Sequence, residues 1–411
     1  MQRNLFILTG IFIFTCPLYA QYDYKIIYDP VLSSSVGAAD FVTLHKLIFS
    51  GEDLILKPQL FNEDNFIGKT SGIAYRLAKT IFLDWPVDVL IGVTNHEFFG
   101  HGWRLREYQR TGIHYTINFP PPYGNGAGET FLGHGPFYSE DEDAAMRIAG
   151  VQASSTISEE LRNVFLETGT IHFRQAFAYI GGISDLTQYI LMTHSTGYTS
   201  NDISYYTELV GQRNSAITLS MLRTAVLLNF ANPFLLYSFY SFFNRYLIYG
   251  KGEISYPMIH IFDLSYLPSF RFGLTPFGAE IRMENLLKAS SRINNLYIGY
   301  DGFGQFTSLR LGVQTEHIFK NSFIDIGGKL EVWDQPIFSL SSNSGIETLL
   351  DPSAPVSGRT LGGMLSANAR LHPFTPDWGV YLEAGYKSSG FTEKEELASG
   401  VIFRGGLTVR M

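Results

Sequence analysis

Two histidines and a glutamate within six residues carry the clearest chemical signal in the chain, in the stretch Val93-Thr94-Asn95-His96-Glu97-Phe98-Phe99-Gly100-His101-Gly102-Trp103-Arg104. In the helical pattern His-Glu-x-x-His, imidazoles four residues apart lie about 40° from each other, so both reach one zinc ion while the adjacent glutamate acts on the bound water. Here the second histidine is five residues on. Five residues lead to about 140° around an ideal helix, so His96 and His101 share a face only if the helix is distorted. A π-bulge inserts one residue into a turn and would bring them together, and such bulges are found mostly at functional sites. Gly100 and Gly102 make that distortion easier. The chemistry on offer is metal-assisted hydrolysis, with His96 and His101 as ligands and Glu97 as general base. The plainer alternative is a buried histidine satisfied by a neighbouring helix, with Glu97 and Arg104 as ordinary surface charges.

The arrangement resembles the HExxGH motif of the dipeptidyl-peptidase III family of zinc peptidases, in which the extra residue is accommodated in this way. The resemblance covers His96 to His101 and Gly102, a likeness of site and not of fold. It implies Zn2+ held by both histidines and a downstream acidic residue, and a peptide or protein substrate. The run Ser139-Glu140-Asp141-Glu142-Asp143-Ala144-Ala145 resembles the acidic second motif of the glutamate-zincins, where the ligand glutamate is followed three residues later by a small residue. Glu142 with Ala145 fits that register best and is the expected third ligand; Asp141 with Ala144 fits a shifted one, and Glu140 and Asp143 stay open. The same run also reads as a solvated first helical turn, with Ser139 as N-cap and acids favoured by the macrodipole.

Arg104 and Arg106 are candidates for a substrate carboxylate or for pairing with the acidic run. His114, Tyr115 and His134 lie near a Gly/Pro-rich loop and are candidate oxyanion donors, with loop packing as their simpler role. No Gly-x-Ser-x-Gly elbow, phosphate-binding loop or dinucleotide fingerprint stands out.

The elements that must hold these residues are helical. Apolar residues recur at helical spacing over Asp40 to Phe49, Ser71 to Trp85, Pro86 to Tyr108, Ser139 to Thr168 and Thr170 to His194. Phe119 to Pro136, with three consecutive prolines and five glycines, reads as a long loop. Thr224 to Asn244 is 21 residues without a charge, long enough to cross a bilayer, with Pro233 at its centre. It fits either a membrane span or a kinked core helix.

Beyond residue 252 the period changes to two. Ile324, Ile326, Leu330 and Val332 alternate with Asp325, Lys329 and Glu331, and similar patterns cover Leu309 to Gln314, Leu365 to His372, Val380 to Lys387 and Val401 to Met411. About nine such segments with one apolar and one charged, Gly-rich face are what a transmembrane β-barrel requires, and this half resembles bacterial outer-membrane barrels. A soluble sheet with one face on a core gives the same alternation. The expected fold is therefore α+β: a helical zinc-hydrolase-like domain over 21–251, then an antiparallel sheet over 252–411, expected as a barrel of about 8–10 strands.

Composition agrees with a folded chain. The 411 residues include 33 Phe, 24 Tyr and 4 Trp, with 17% charged, against about 25% in ordinary soluble domains. The net charge of −8 gives no basic footprint, so nucleic acid is excluded as a partner. Residues 1–20 read as a signal peptide, with Arg3 before the apolar run Leu5 to Phe14 and a small-residue site at Ala20. The single cysteine, Cys16, leaves a loose lipoprotein alternative. Cleavage after Ala20 removes it, and with it any disulfide or thiolate chemistry. The expectation is thus an exported enzyme of the cell envelope, anchored by membrane lipid in the outer membrane. Two rivals stand beside it: a peptidase whose apolar helices themselves lie in a membrane, and a non-catalytic, porin-like barrel with a helical cap.

Overall fold

The computed structural model describes residues 23–53, 55–56, 61, 63–135, 139–194, 201–340, 358–373 and 377–410. The leader and Cys16 lie outside them. Ten helical and strand elements matter for the N-terminal half: β1 (Asp23–Tyr28), α1 (Ser34–Asp53), α2 (Phe66–Lys79), α3 (Trp85–Thr94), α4 (Gly102–Glu107), the hairpin β2 (His114–Ile117) and β3 (Gly128–Phe131), α5 (Glu140–Thr168), β4 (Thr170–His172) and α6 (Phe173–Met192). Then come α7 (Asp202–Arg213), α8 (Leu219–Ala225), a 3-10 turn at Val226–Ala231 and α9 (Pro233–Phe239), which runs on as a π-helix over Tyr240–Ile248.

The long α5 has clear sequence reasons for its ends. The Ser139 hydroxyl accepts from Glu142 N while Glu142 Oε2 accepts from Ser139 N, a reciprocal capping box. Gly169, at φ 74°, closes the other end in the left-handed conformation. Small residues along its flank let other helices approach closely.

Two expectations change at this level. The stretch 170–194 begins as β4, pairing Thr170–His172 with β5 (Glu253–Ser255), before α6 starts at Phe173. The Gly/Pro-rich loop contains β3, which pairs with β2 from Ile117↔Gly128 to His114↔Phe131. Proline punctuation hid a short strand whose partner precedes the loop.

Nine more strands follow: β6 (Ile259–Ile261), β7 (Leu264–Thr275), β8 (Gly278–Ala289), β9 (Arg292–Asp301), β10 (Ser308–Lys320), β11 (Ile324–Pro336), β12 (Arg359–Leu371), β13 (Trp378–Lys387) and β14 (Gly400–Arg410). They form an antiparallel meander, and β1 adds to its far end, giving the ten-stranded order β1-β14-β13-β12-β11-β10-β9-β8-β7-β6. The change of period near residue 252 therefore does not bound the sheet, because β1 comes from the helical half. Among the described residues, strand pairing does not close the sheet into a barrel: its outermost strands are β1 and β6.

The sheet's polarity is inverted relative to a soluble sandwich. The face toward the helices buries charge in pairs, including Arg271 with Glu393 (2.6 Å), Arg310 with Glu331 (2.7 Å) and Arg404 with Glu395 (2.7 Å). Helix α5 lies on that face, with Arg162 on Glu284 at 2.6 Å and Glu159 on Arg271 at 2.8 Å. The opposite face carries apolar positions, so that Leu330, Leu365, Tyr386, Val401 and Phe403 are exposed. The larger apolar clusters sit among the helices and where they meet β7 and β8, with a small one of Trp333, Met364 and Ile402 on the sheet's inner face.

Candidate metal centre

His96 and His101 stand on one continuous helical rod, Trp85–Glu107, whose middle is a π-helix over Asn95–His101. The extra residue per turn turns the five-residue spacing into a shared face. The rod crosses α5 at unusually short range. A Cβ on Gly100 would come within 2.6 Å of Gly150 Cα, and one on Gly150 would run into the His96 ring. The two glycines thus set the depth at which the imidazoles lie.

Both rings are buried and both are oriented through Nδ1. His96 Nδ1 lies 3.1 Å from Asp185 Oδ2 on α6, and the Tyr189 ring stacks on this imidazole with centroids 5.4 Å apart. His101 Nδ1 lies 2.8 Å from the Met146 carbonyl on α5. A carbonyl only accepts, so His101 carries its proton on Nδ1; the Asp185 carboxylate imposes the same tautomer on His96. The two Nε2 atoms then present lone pairs to each other across 3.3 Å. Asp202 Oδ2 completes the group, 3.2 Å from His101 Nε2 and 3.9 Å from His96 Nε2.

Three acceptors within 4.8 Å of one another repel unless positive charge sits among them. Burial alone would push the Asp202 carboxyl up, yet the His101 and His96 imidazoles beside it hold it far below the usual carboxylate range. That shift requires protonated rings; a divalent cation supplies the same charge and leaves the rings neutral. Two nitrogens and one carboxylate oxygen form a donor set suited to Zn2+ with one position left open, and the Asp185 and Met146 contacts are the outer supports that metal-bound imidazoles use. Asp202 is itself steadied: it opens α7 behind the Asn201 N-cap, where the helix dipole favours a carboxylate, and Arg147 Nη1 lies 3.7 Å from its other oxygen.

No family model matches the chain, and no curated protein or solved structure matches it. The site is read from its own geometry.

Glu97 follows His96 in the π-helix and is buried against the hairpin. Thr130 Oγ1 on β3 donates to Glu97 Oε2 at 2.5 Å and lies 3.2 Å from Glu97 O. Gly128 passes so close that a Cβ there would come within 2.6 Å of Glu97 Cγ. Oε2 is therefore engaged by a hydroxyl, while the Gly128 backbone of β3 packs beside Oε1.

The acid grouped with the two histidines is not the one expected from the sequence. Glu142 Oε2 accepts from Ser139 N in the capping box, and the acid that lies with His96 and His101 is Asp202. The neighbouring acids are also outside that group: Asp141 pairs with Arg213 and accepts from Ser339 N at 2.9 Å, Asp143 pairs with Arg147 at 3.3 Å, and Glu140 lies 3.9 Å from Arg213. The run is the first turn of α5, and the contacts with the imidazoles come one to three turns further on, at Met146 and Gly150.

The arginines also have structural partners. Arg104 pairs with Glu107 at 2.7 Å and donates to Glu395 O, while Arg106 donates to Val31 O, Leu32 O, Phe98 O and the Tyr115 hydroxyl. His134 bridges to Thr111 through the backbone and His114 lies exposed on β2. Asp185, Tyr189 and Asp202 went unread. A signal existed for the first: Asp185 is the only acid in the mostly apolar helix Phe173–Met192, and Tyr189 follows one turn later on the same face. Asp202 looks like any acid in a first helical turn.

Proposed function

We propose that this protein is a zinc-dependent hydrolase of the cell envelope that cleaves a peptide or protein substrate. The observation that carries the reading is the convergence of His96 Nε2, His101 Nε2 and Asp202 Oδ2 while both Nδ1 atoms are held by acceptors. Glu97 beside His96 directs the choice of reaction toward hydrolysis.

When bound, zinc supplies Lewis acidity to the attacked carbonyl and to water. His96, His101 and Asp202 would hold it, with Asp185 and the Met146 carbonyl keeping the rings in the tautomer that leaves Nε2 free to ligate. Glu97 accepts the proton of the attacking water and returns it to the departing amine. The Thr130 hydroxyl fixes one of its oxygens, so the other is the oxygen that works. The envelope and outer-membrane location is part of the same proposal, supported by the apolar leader pattern and by strands that turn charge inward and apolar side chains outward.

The test is metal content of the detergent-purified protein by plasma emission, joined to a peptide-hydrolysis assay. The reading expects one zinc per chain and loss of hydrolysis in Glu97→Gln with zinc retained. Absence of metal after zinc-replete purification overturns it and leaves a non-catalytic membrane protein as the better account.

A further inference from the structure

An open sheet leaves two rows of backbone donors and acceptors, and in this protein helix side chains reach groups in both. On β1 the groups facing away from β14 belong to Asp23, Lys25 and Ile27. Lys25 N donates to Thr43 Oγ1 at 2.9 Å, the same hydroxyl donates to Lys25 O at 2.6 Å, Ile27 N donates to Asp40 Oδ1 at 2.8 Å, and Lys46 Nζ donates to Asp23 O at 3.0 Å. All three side chains come from α1.

The other border is β7, which β6 covers only from Leu264 to Tyr266. Beyond that, the outward positions are the even-numbered ones. Pro268 has no N–H to satisfy. Phe270 O accepts from Asn232 Nδ2 at 3.5 Å, Phe272 N donates to Asn229 Oδ1 at 2.8 Å, and Leu274 O accepts from Gln152 Nε2 at 3.1 Å. Asn229 and Asn232 flank the break of the bent segment Leu219–Ala231 and Pro233–Ile248, two pieces meeting at 69°. Among the described residues no single helix is long and apolar enough to cross a membrane, but this pair passes the test together.

We propose that the exposed apolar face of the sheet and the outer faces of these helices form one lipid-facing wall, so that helix side chains complete in the bilayer a barrel that strand pairing leaves open. This rests on the membrane part of the reading above and is independent of the metal site. Hydrocarbon tolerates no unsatisfied backbone edge, which is why spanning sheets are otherwise closed by their own strands. Here helices bury both edges, and Thr43, Asp40, Asn229, Asn232 and Gln152 partner backbone groups there in place of further strands. The polarity agrees. One cross-strand row, Leu296–Val313–Leu330–Leu365–Tyr386–Val401, runs apolar through six strands, while the adjacent inward positions include Glu331 and Lys387. On the seam helices Leu227, Phe230, Leu236, Tyr240 and Phe243 are exposed. Strands of 10 to 13 residues from β9 to β14 meet the about 9–11 that a tilted strand needs to span a bilayer.

The test uses the full chain carrying Cys16→Ser, reconstituted in palmitoyl-oleoyl phosphatidylcholine vesicles, with single spin labels at Leu330→Cys and Leu365→Cys on the sheet and Leu236→Cys and Phe243→Cys on the seam helices. Asn125→Cys, on an exposed loop, is the aqueous control. Accessibility to oxygen is compared with accessibility to a water-soluble nickel chelate. The expected ratio is above unity at all four sites and below unity at Asn125. Two sites per element keep the result readable if one variant misfolds, as checked by circular dichroism. Aqueous behaviour of the sheet pair overturns the membrane reading itself; lipid contact at the sheet with aqueous behaviour at the helix pair overturns the helix-completed wall alone.

Discussion

His96 Nε2 faces His101 Nε2 across 3.3 Å, although each ring has already committed its other nitrogen to an acceptor. With both rings neutral the two Nε2 atoms would offer each other only lone pairs, so positive charge belongs there: a proton, which against the effect of burial Tyr189, Asp185 and Asp202 favour on His96, or a metal cation. The surroundings of the pair yield separable predictions.

Ligand identity is decided by stoichiometry. His96→Ala, His101→Ala and Asp202→Ala are expected to lose the bound metal, whereas Glu142→Ala keeps it and gives up only its half of the α5 capping box, a cost of about 1 kcal/mol. Metal analysis and thermal melts on the four variants separate the roles. Retention of metal in Asp202→Ala together with loss in Glu142→Ala would return the third position to the acidic run.

Glu97→Gln keeps the shape of the side chain and removes its basicity. Hydrolysis should fall by about 10²–10⁴-fold, the usual share of a general base, with metal content unchanged. A variant that loses metal and activity together would make Glu97 a structural residue. Thr130→Val should move kcat less than Glu97→Gln does, because it frees a base instead of abolishing one.

Asp185 touches His96 on the side away from the metal position. Removing its charge by Asp185→Asn should weaken metal affinity by about 10–100-fold, as for other outer supports of metal-bound histidine. Competition with a chromophoric chelator reads this directly. An unchanged affinity would show that the ring is oriented by Tyr189 stacking and packing alone.

Gly150→Ala puts a methyl where the His96 ring lies. Overpacking at such a crossing costs about 1–3 kcal/mol, and the imidazole must move, so the variant should lose both melting temperature and metal. Gly181→Ala, on α6 with open space at the Cβ position, is the control and should be neutral or slightly stabilising.

Chelation should destabilise the protein, and less so as the pH falls. Ligation needs neutral imidazoles, so protons compete with the metal as pH falls toward and below the ordinary histidine value of about 6.5. Melting temperature with and without chelator, followed from neutral to mildly acidic pH, should converge at the acidic end as the metal is lost from both samples.

How much of this was legible follows from the range over which each signal acts. The His96–His101 spacing is local, so the need for a π-helix could be worked out from helical geometry, and Asn95–His101 is one. Strand alternation is also local, and the Ile324 and Leu365 patterns lie on paired strands β11 and β12. The acid beside the histidines is not local. Asp202 reaches them because the fold brings a distant helix start against the rod, and nothing in its own neighbours marks it. The acidic run has a second physical reason to exist: acids cluster in first helical turns for the dipole and the cap, which Glu142 serves here. The β1 pairing escaped notice similarly, since six residues before a helix carry no sign of a partner beyond residue 400.

That pairing governs how the molecule can be made. Asp23 meets Arg410 and Tyr28 meets Gly405, so the earliest strand in the described chain must wait for the latest one. Contacts between such distant segments are slow to form, and until β14 arrives the apolar and charged faces of the meander have no settled inside. A chain delivered from its N-terminus would need a holding partner throughout that interval, and loss of β14 would strand β1 along with its attached helix α1.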